Sequence, residues 1–234
     1  MDKIKKYKHI FFDLDHTLWD FDTNSRQTLN ELFEKHSLKS NLKTEADNFV
    51  DTYLRINEEK WKLYRKGLIN KERLRKERFY ETFSEYGLRD ESFSHQFEVE
   101  YIDLCPHKTA LIPHSLEILN YLKDWYHLHI ITNGFSEIQD IKLSKSGLKP
   151  YFDKIISSDE VGVNKPGAAI FIESLNSAGA SRSESIMIGD NLGADIIGAR
   201  NCGIDQIYFN PESLVHEEKI SFEIRHLKEL EIIL

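Results

Sequence analysis

The apolar run Ile10-Phe11-Phe12 ends in two aspartates, within the segment Phe11-Phe12-Asp13-Leu14-Asp15-His16-Thr17-Leu18-Trp19-Asp20. A short apolar run of this kind reads as a buried strand that delivers both acids to its carboxyl end. Residues two apart on an extended chain share a face. Two carboxylates on one face repel unless a cation lies between them or one holds a proton. Oxygen ligands at that spacing suit a hard ion such as Mg²⁺. A strand running into a polar turn, capped by Asp15 or Thr17, fits the same residues. The rest of the chain decides between the two.

Periodicity divides the remainder. From Asp22 to about Pro106 the sequence is highly charged and helical in spacing. Leu29, Leu32, Phe33 and His36 recur at three and four, and three further helices follow through Phe49–Leu63, Leu74–Phe83 and Phe93–Leu104. Gly67 and Gly87 punctuate them. From Pro113 the pattern alternates. Strands are expected at His127–Thr132, Lys154–Ser158, Ser185–Gly189 and Gln206–Phe209, with helices near Ser115–Trp125, Ser136–Ser146, Ala168–Ala178 and Ala194–Cys202. Alternating short apolar strands and helices imply an α/β fold with a doubly wound, mostly parallel sheet. The expected division is residues 1–20 and 107–234 as a Rossmann-like core, with 21–106 as an inserted all-helical unit. The charged tail from Pro211 to Leu234 reads as packing only, closed by a short amphipathic helix.

Four blocks in order now point to one chemistry. After Asp13-Leu14-Asp15-His16-Thr17 come Ile130-Ile131-Thr132-Asn133-Gly134, then Val161-Gly162-Val163-Asn164-Lys165-Pro166, then Ile186-Met187-Ile188-Gly189-Asp190-Asn191 with Asp195 beyond. In this order the chain resembles the haloacid dehalogenase superfamily, over about Lys8 to Phe209. Its phosphatases open with D-x-D-x-T, and the resemblance implies a role for each matching residue. Asp13 is the expected nucleophile, forming an aspartyl-phosphate, and Asp15 the expected general acid and base. Thr132, Asn133 and Lys165 are the expected phosphate-binding groups, with Thr132-Asn133 as a plain helix N-cap standing as the rival reading. Asp13, Asp190 and the Asp15 backbone carbonyl are the expected Mg²⁺ ligands. Asp195 is expected behind them, tying Lys165 or a metal-bound water, with helix capping as its rival.

The departures from the family pattern are few. Gly167-Ala168 follows Lys165-Pro166 where aspartate and proline are usual, Asn191 stands where serine is frequent, and His16 where glycine is commonest. None removes a group that the chemistry needs.

Within the superfamily, the segment Asp13–Asp20, the helical insertion and Ser158–Pro166 resemble bacterial 5′-nucleotidases acting on unusual or pyrimidine nucleoside monophosphates. The implied reaction is Mg²⁺-dependent hydrolysis of a small-molecule phosphate ester. Sugar-phosphate, phosphoglycolate and flavin-mononucleotide phosphatases share the core, as does a phosphomutase. A dehalogenase uses the same nucleophile without a metal and lacks the second acid. A non-catalytic binding module is expected to have lost the nucleophile, the lysine or the metal acid, and this chain has all of them. The insertion resembles the family's α-helical cap, which excludes water and selects the leaving group. Trp61 or Tyr64 there can stack on a base, but helical spacing favours packing. Arg73, Arg75 and Arg78 read as a solvated basic face.

The net charge of −8 argues against a nucleic-acid polymer as partner. No apolar stretch approaches the roughly 18 residues of a membrane span. The charged N-terminus leads into the first strand rather than to a signal-peptide cleavage site. Cys105 and Cys202 make neither a disulfide framework nor a metal cluster. A cytoplasmic monomer or homodimer is the expectation.

Overall fold

The computed structural model describes residues 6–234; Met1–Lys5, most of the N-terminal stretch weighed above as a leader, lie outside the described residues. The chain divides into two compact units, Met1–Asp20 with Thr109–Leu234 and, inserted between them, Phe21–Lys108.

The first unit is built on a six-stranded sheet: β1 (His9–Phe12), β2 (His127–Thr132), β3 (Lys154–Ser157), β4 (Ser185–Gly189), β5 (Asp205–Phe209) and β6 (Phe222–Ile224). Their spatial order is β3-β2-β1-β4-β5-β6, and all five pairings are parallel. The order reverses between β1 and β4. That reversal opens a crevice at the carboxyl ends of those strands, where sheets of this type bind ligands. Asp13 follows β1, Asp190 follows β4, and Thr132 closes β2.

Burial explains the apolar runs. Phe11 on β1, Ile131 on β2, Ile156 on β3 and Met187 on β4 share one face and pack with Ile170, Phe171 and Leu175 of the helix Ala168–Ala178. Phe12, Ile130 and Ile188 lie in register on the opposite face, all fully buried. Strands buried on both faces read as continuous apolar runs, and these do. The sixth strand was not expected. Its three residues include two exposed ones, so it carries no apolar run to announce it, yet it pairs with β5 through Ile207, Tyr208 and Phe209.

The second unit contains α1 (Phe21–Lys35), α2 (Leu38–Leu42), α3 (Ala46–Arg65), α4 (Lys71–Glu85) and α5 (Glu91–Leu104). Side-chain caps start two of them: Asn70 accepts from the Arg73 N–H, and Asp90 from the Phe93 N–H. An aromatic core of Phe33, Phe49, Tyr53, Phe79, Phe83, Phe97 and Tyr101 holds them together, ring against ring at centroid distances of 4.7 to 5.9 Å. Trp61 and Tyr64 meet each other edge to face at 5.5 Å, and both are half-buried. The solvated face expected of the arginines fails at Arg78. It is buried, bonded to Asn57 and placed over the rings of Phe79 and Tyr101, because aromatic neighbours on its own helix and on α5 enclose it.

The remaining helices belong to the first unit: α6 (Ser115–Leu122), α7 (Ser136–Lys145), α8 (Ser158–Val161), α9 (Ala168–Ala178), α10 (Gly198–Asn201) and α11 (Leu230–Ile233). Just before α10, Leu192–Ile197 forms a π-helical turn where an ordinary helix was expected. Such turns are rare and concentrate at functional sites.

A histidine cluster occupies β1 and β2 at their amino-terminal halves. His9 Nδ1 lies 3.1 Å from His129 Nε2, and the His9 ring stacks on those of His127 and His129. His129 is buried, and its Nδ1 has no hydrogen-bond partner among the described residues. Burial, followed by the neighbouring His9, pushes its pKa down to about 4. The unfolded chain, with a histidine pKa near 6.5, takes up a proton that the folded chain refuses between pH 6.5 and pH 4. Stability therefore falls as pH falls through that window, by roughly 3 kcal/mol at its lower end. Urea titrations at pH 7 and pH 4 test this. The protein is expected to lose about that much more stability than His129→Gln, and equal losses would contradict it.

Candidate active site

The first unit folds its four sequence blocks onto one point. Asp13 extends β1, donating its N–H to the Ile188 carbonyl at 2.9 Å, so its side chain is fixed between β1 and β4. His16 then adopts φ +64°, a left-handed conformation that turns the chain. That explains why glycine is common at this position, since only glycine takes it without strain.

Lys165 is the hub. Its buried ammonium donates to Asp13 Oδ1 at 2.5 Å and to the Ile131 carbonyl at 2.6 Å, and pairs with Asp195 Oδ1 at 2.7 Å. The Asn133 side chain clamps the backbone of the same residue, accepting from Lys165 N–H at 2.7 Å and donating to its carbonyl at 3.0 Å. Burial alone pushes the Lys165 pKa down, but the charges of Asp13 and Asp195 outweigh it and hold the ammonium protonated.

Asp190 is fixed by Thr17, whose hydroxyl donates to Asp190 Oδ1 at 2.9 Å and accepts from the Asp190 N–H at 3.1 Å. Asp195 accepts from the Asn191 N–H at 3.0 Å. A Cβ at Gly189 would lie 2.4 Å from the Asp195 carboxylate, so only glycine lets that acid approach the strand end. Carboxylate oxygens of Asp13, Asp190 and Asp195 all lie within 4.8 Å of one another. Burial, with repulsion from neighbouring carboxylates, raises Asp13 well above the ordinary carboxylate range and lifts Asp190 to about 7.

Asp15 points to a different set of partners. Its Oδ1 accepts from the Lys142 ammonium at 2.5 Å and its Oδ2 from Gln139 Nε2 at 2.8 Å. Burial would raise its pKa, but the Lys142 charge and both hydrogen bonds outweigh that and bring it below the ordinary value. Gln139 Nε2 also donates to Thr132 Oγ1 at 2.7 Å. A Cβ at Gly134 would sit 2.1 Å from that amide nitrogen, so the glycine makes room for it.

Each residue expected from the sequence thus falls within the same first unit, and the rival reading of Thr132-Asn133 as a helix N-cap drops out. Thr132 is not the cap of α7: Phe135 holds that position, and Asp159 accepts from the Ser136 N–H instead. The Gly134 N–H donates to Thr132 Oγ1 at 3.0 Å. Three residues enter that the sequence did not place here. Thr17 had a signal, as the last position of D-x-D-x-T. Gln139 and Lys142 had none, since only the helical phase of α7 turns them toward Asp15.

The donor set fits a divalent cation. Three carboxylates, Asp13, Asp190 and Asp195, face one ammonium, Lys165, so two negative charges are left in excess whenever all three are ionised, and burial together with that crowding makes Asp13 and Asp190 hold protons more tightly than ordinary carboxylates. Asp15 does not add to that excess, because Lys142 neutralises it. All the donors are oxygens, the ligand type of hard ions.

A doubly wound parallel sheet, a helical insertion after β1 and an acidic cluster at the switch point define a class of hydrolases. The chain belongs to that class: the haloacid dehalogenase-like hydrolase family matches residues 10–209. It is 35% identical over 212 residues to the pyrimidine 5′-nucleotidase PynA of Streptococcus pneumoniae, covering 89% of this chain and 86% of PynA. It is 32% identical over 232 residues to the pyrimidine 5′-nucleotidase YjjG of Escherichia coli, covering 98% of each chain. A crystal structure of the putative HAD-hydrolase YfnB of Bacillus subtilis, bound to magnesium, matches it with a TM-score of 0.89 and 29% identity, over 98% of this chain and 99% of that one. The family and these relatives make the chain an enzyme of the phosphatase class. Among the described residues no helix is long and apolar enough to cross a membrane.

Proposed function

We propose that the protein is a Mg²⁺-dependent phosphomonoester hydrolase that works through an aspartyl-phosphate on Asp13, with pyrimidine 5′-nucleotides as substrates. The observation that carries this reading is the crowding of three carboxyl groups against one ammonium at the carboxyl ends of β1 and β4, which leaves two negative charges in excess when all three are ionised. The substrate class rests on the likeness to PynA and YjjG. Asp13, Asp190 and the Asp15 backbone carbonyl would hold the metal, which would supply the positive charge that lets an anionic nucleophile meet an anionic phosphate.

The chain's own residues divide the remaining work. Lys165 neutralises phosphate charge and holds the Asp13 carboxylate in place, while Asp195 and the Asn133 side chain fix Lys165. The Thr132 hydroxyl and the Asn133 N–H bind phosphate oxygens. An Asp13 oxygen attacks phosphorus, the bond to the nucleoside oxygen breaks, and Asp15 gives that oxygen its proton. Asp15 then takes a proton from water as the water oxygen attacks phosphorus, and the bond from phosphorus to Asp13 breaks. One carboxyl group serves both halves.

Phosphate release from uridine 5′-monophosphate tests the metal. Activity is expected to vanish with EDTA and return with Mg²⁺, and Asp190→Asn is expected to raise the Mg²⁺ concentration required by at least about tenfold, a loss on the order of 1.4 kcal/mol. Full turnover in EDTA would overturn the metal assignment.

A further inference from the structure

Both oxygens of the Asp15 carboxylate are engaged from a single face of α7. Gln139 and Lys142, three residues apart and so neighbours on the helix surface, hold Oδ2 and Oδ1 respectively. Gln139 uses one amide nitrogen for two acceptors, Asp15 Oδ2 and Thr132 Oγ1, which ties the group that moves protons to the hydroxyl that binds phosphate. Lys142 is buried, and its ammonium also lies 4.3 Å from the centre of the Trp19 ring. Asp15 and Trp19 are themselves bridged through their backbones, so the lysine spans the base of the Asp15–Trp19 turn.

Burying an ammonium is costly, and a leucine or methionine would fill the same space without that cost. Packing therefore does not account for a lysine at this place. The cation instead fixes the rotamer of a short carboxylate that the turn alone leaves free to rotate.

We infer that Lys142 and Gln139 are positioning residues for the proposed reaction: they hold the Asp15 carboxylate aimed beside the phosphate-binding Thr132, ready to take a proton from the attacking water. The inference rests on the reading of Asp15 as acid and base. Lys142 bonds Asp15, and it is Gln139 that bonds the phosphate-binding Thr132, so the loss of Lys142 is expected to leave phosphate binding intact. What suffers is the step that needs an aimed base, and a displacement of about 1 Å in such a group costs on the order of 100-fold.

Two substrates with Lys142→Met separate this role from a merely structural one. p-Nitrophenolate leaves without a proton, so phosphate transfer to Asp13 needs no acid, whereas release of phosphate still needs the base. With p-nitrophenyl phosphate the variant is expected to give a burst of one equivalent of p-nitrophenolate, then a steady rate about 100-fold below the unmodified enzyme, with kcat/KM nearly unchanged. With uridine 5′-monophosphate, whose leaving group needs a proton, both kcat and kcat/KM are expected to fall. Lys142→Arg, which keeps the cation, is expected to recover most of the rate, and Mg²⁺-dependent binding of fluoroberyllate is expected to be unaltered in both variants. A kcat within twofold of the unmodified enzyme, or equal losses of kcat and kcat/KM on p-nitrophenyl phosphate, overturns the inference. Asp15→Asn is assayed alongside. If it is inactive while Lys142→Met is normal, only the positioning role fails; if Asp15→Asn turns over normally, the acid–base reading and the positioning role fail together.

Discussion

Asp13→Asn is expected to abolish phosphate release, with a loss of roughly 10⁴- to 10⁶-fold, the range seen when a nucleophile that acts as part of a unit is removed. The amide keeps the shape of the side chain and its place between β1 and β4, so the fold is expected to survive. What it loses is the anionic oxygen that attacks phosphorus. Fluoroberyllate, which mimics a phosphoryl group on aspartate, is expected to bind the unmodified protein only with Mg²⁺ and not to bind Asp13→Asn at all. Residual turnover within tenfold of the unmodified enzyme would show that another group attacks.

Lys165→Met has the second largest expected effect, and it falls on stability as well as activity. The ammonium is almost wholly enclosed and pairs with two carboxylates, Asp13 and Asp195, while also bonding the Ile131 carbonyl. Removing one partner of a buried ion pair leaves the other charge without compensation, at a cost of about 3–5 kcal/mol. For a chain of this size that corresponds to a fall in Tm of roughly 10 °C, measurable by scanning calorimetry without added metal. Added Mg²⁺ is expected to restore part of the loss by supplying positive charge to the same cluster, though not the activity. A Tm within about 2 °C of the unmodified protein would contradict the hub role read from the geometry.

The sheet was legible in the sequence because its central strands are buried on both faces. Ile10–Phe12, Ile130–Ile131 and Ile186–Gly189 are continuous apolar runs, each followed by a polar residue at a carboxyl end, and that pattern alone sets Asp13, Thr132 and Asp190 at one edge of a parallel sheet. β6 was not legible, since two of its three residues are exposed and its surroundings are charged. Arg78 escaped for the opposite reason: a charged residue on a helix reads as solvated, and only the rings of Phe79 and Tyr101 around it reveal its burial. Gln139 and Lys142 lie 124 and 127 residues from Asp15. Their meeting depends on where α7 starts and how it is rotated against the Asp15–Trp19 turn, which no local pattern records. Thr17 and Asn133 sit in recognisable blocks, yet their partners, Asp190 and the backbone of Lys165, are distant in sequence and appear only once the four blocks converge.

Trapping the covalent intermediate tests the central claim most directly. The enzyme is quenched during turnover of uridine 5′-monophosphate with Mg²⁺, treated with borohydride, which reduces an acyl phosphate to the alcohol, and digested for mass spectrometry. The account predicts that Asp13 is recovered as homoserine, in a yield that depends on substrate and disappears with EDTA. Recovery of Asp13 unchanged in every sample, or reduction at Asp15, Asp190 or Asp195 instead, would contradict it.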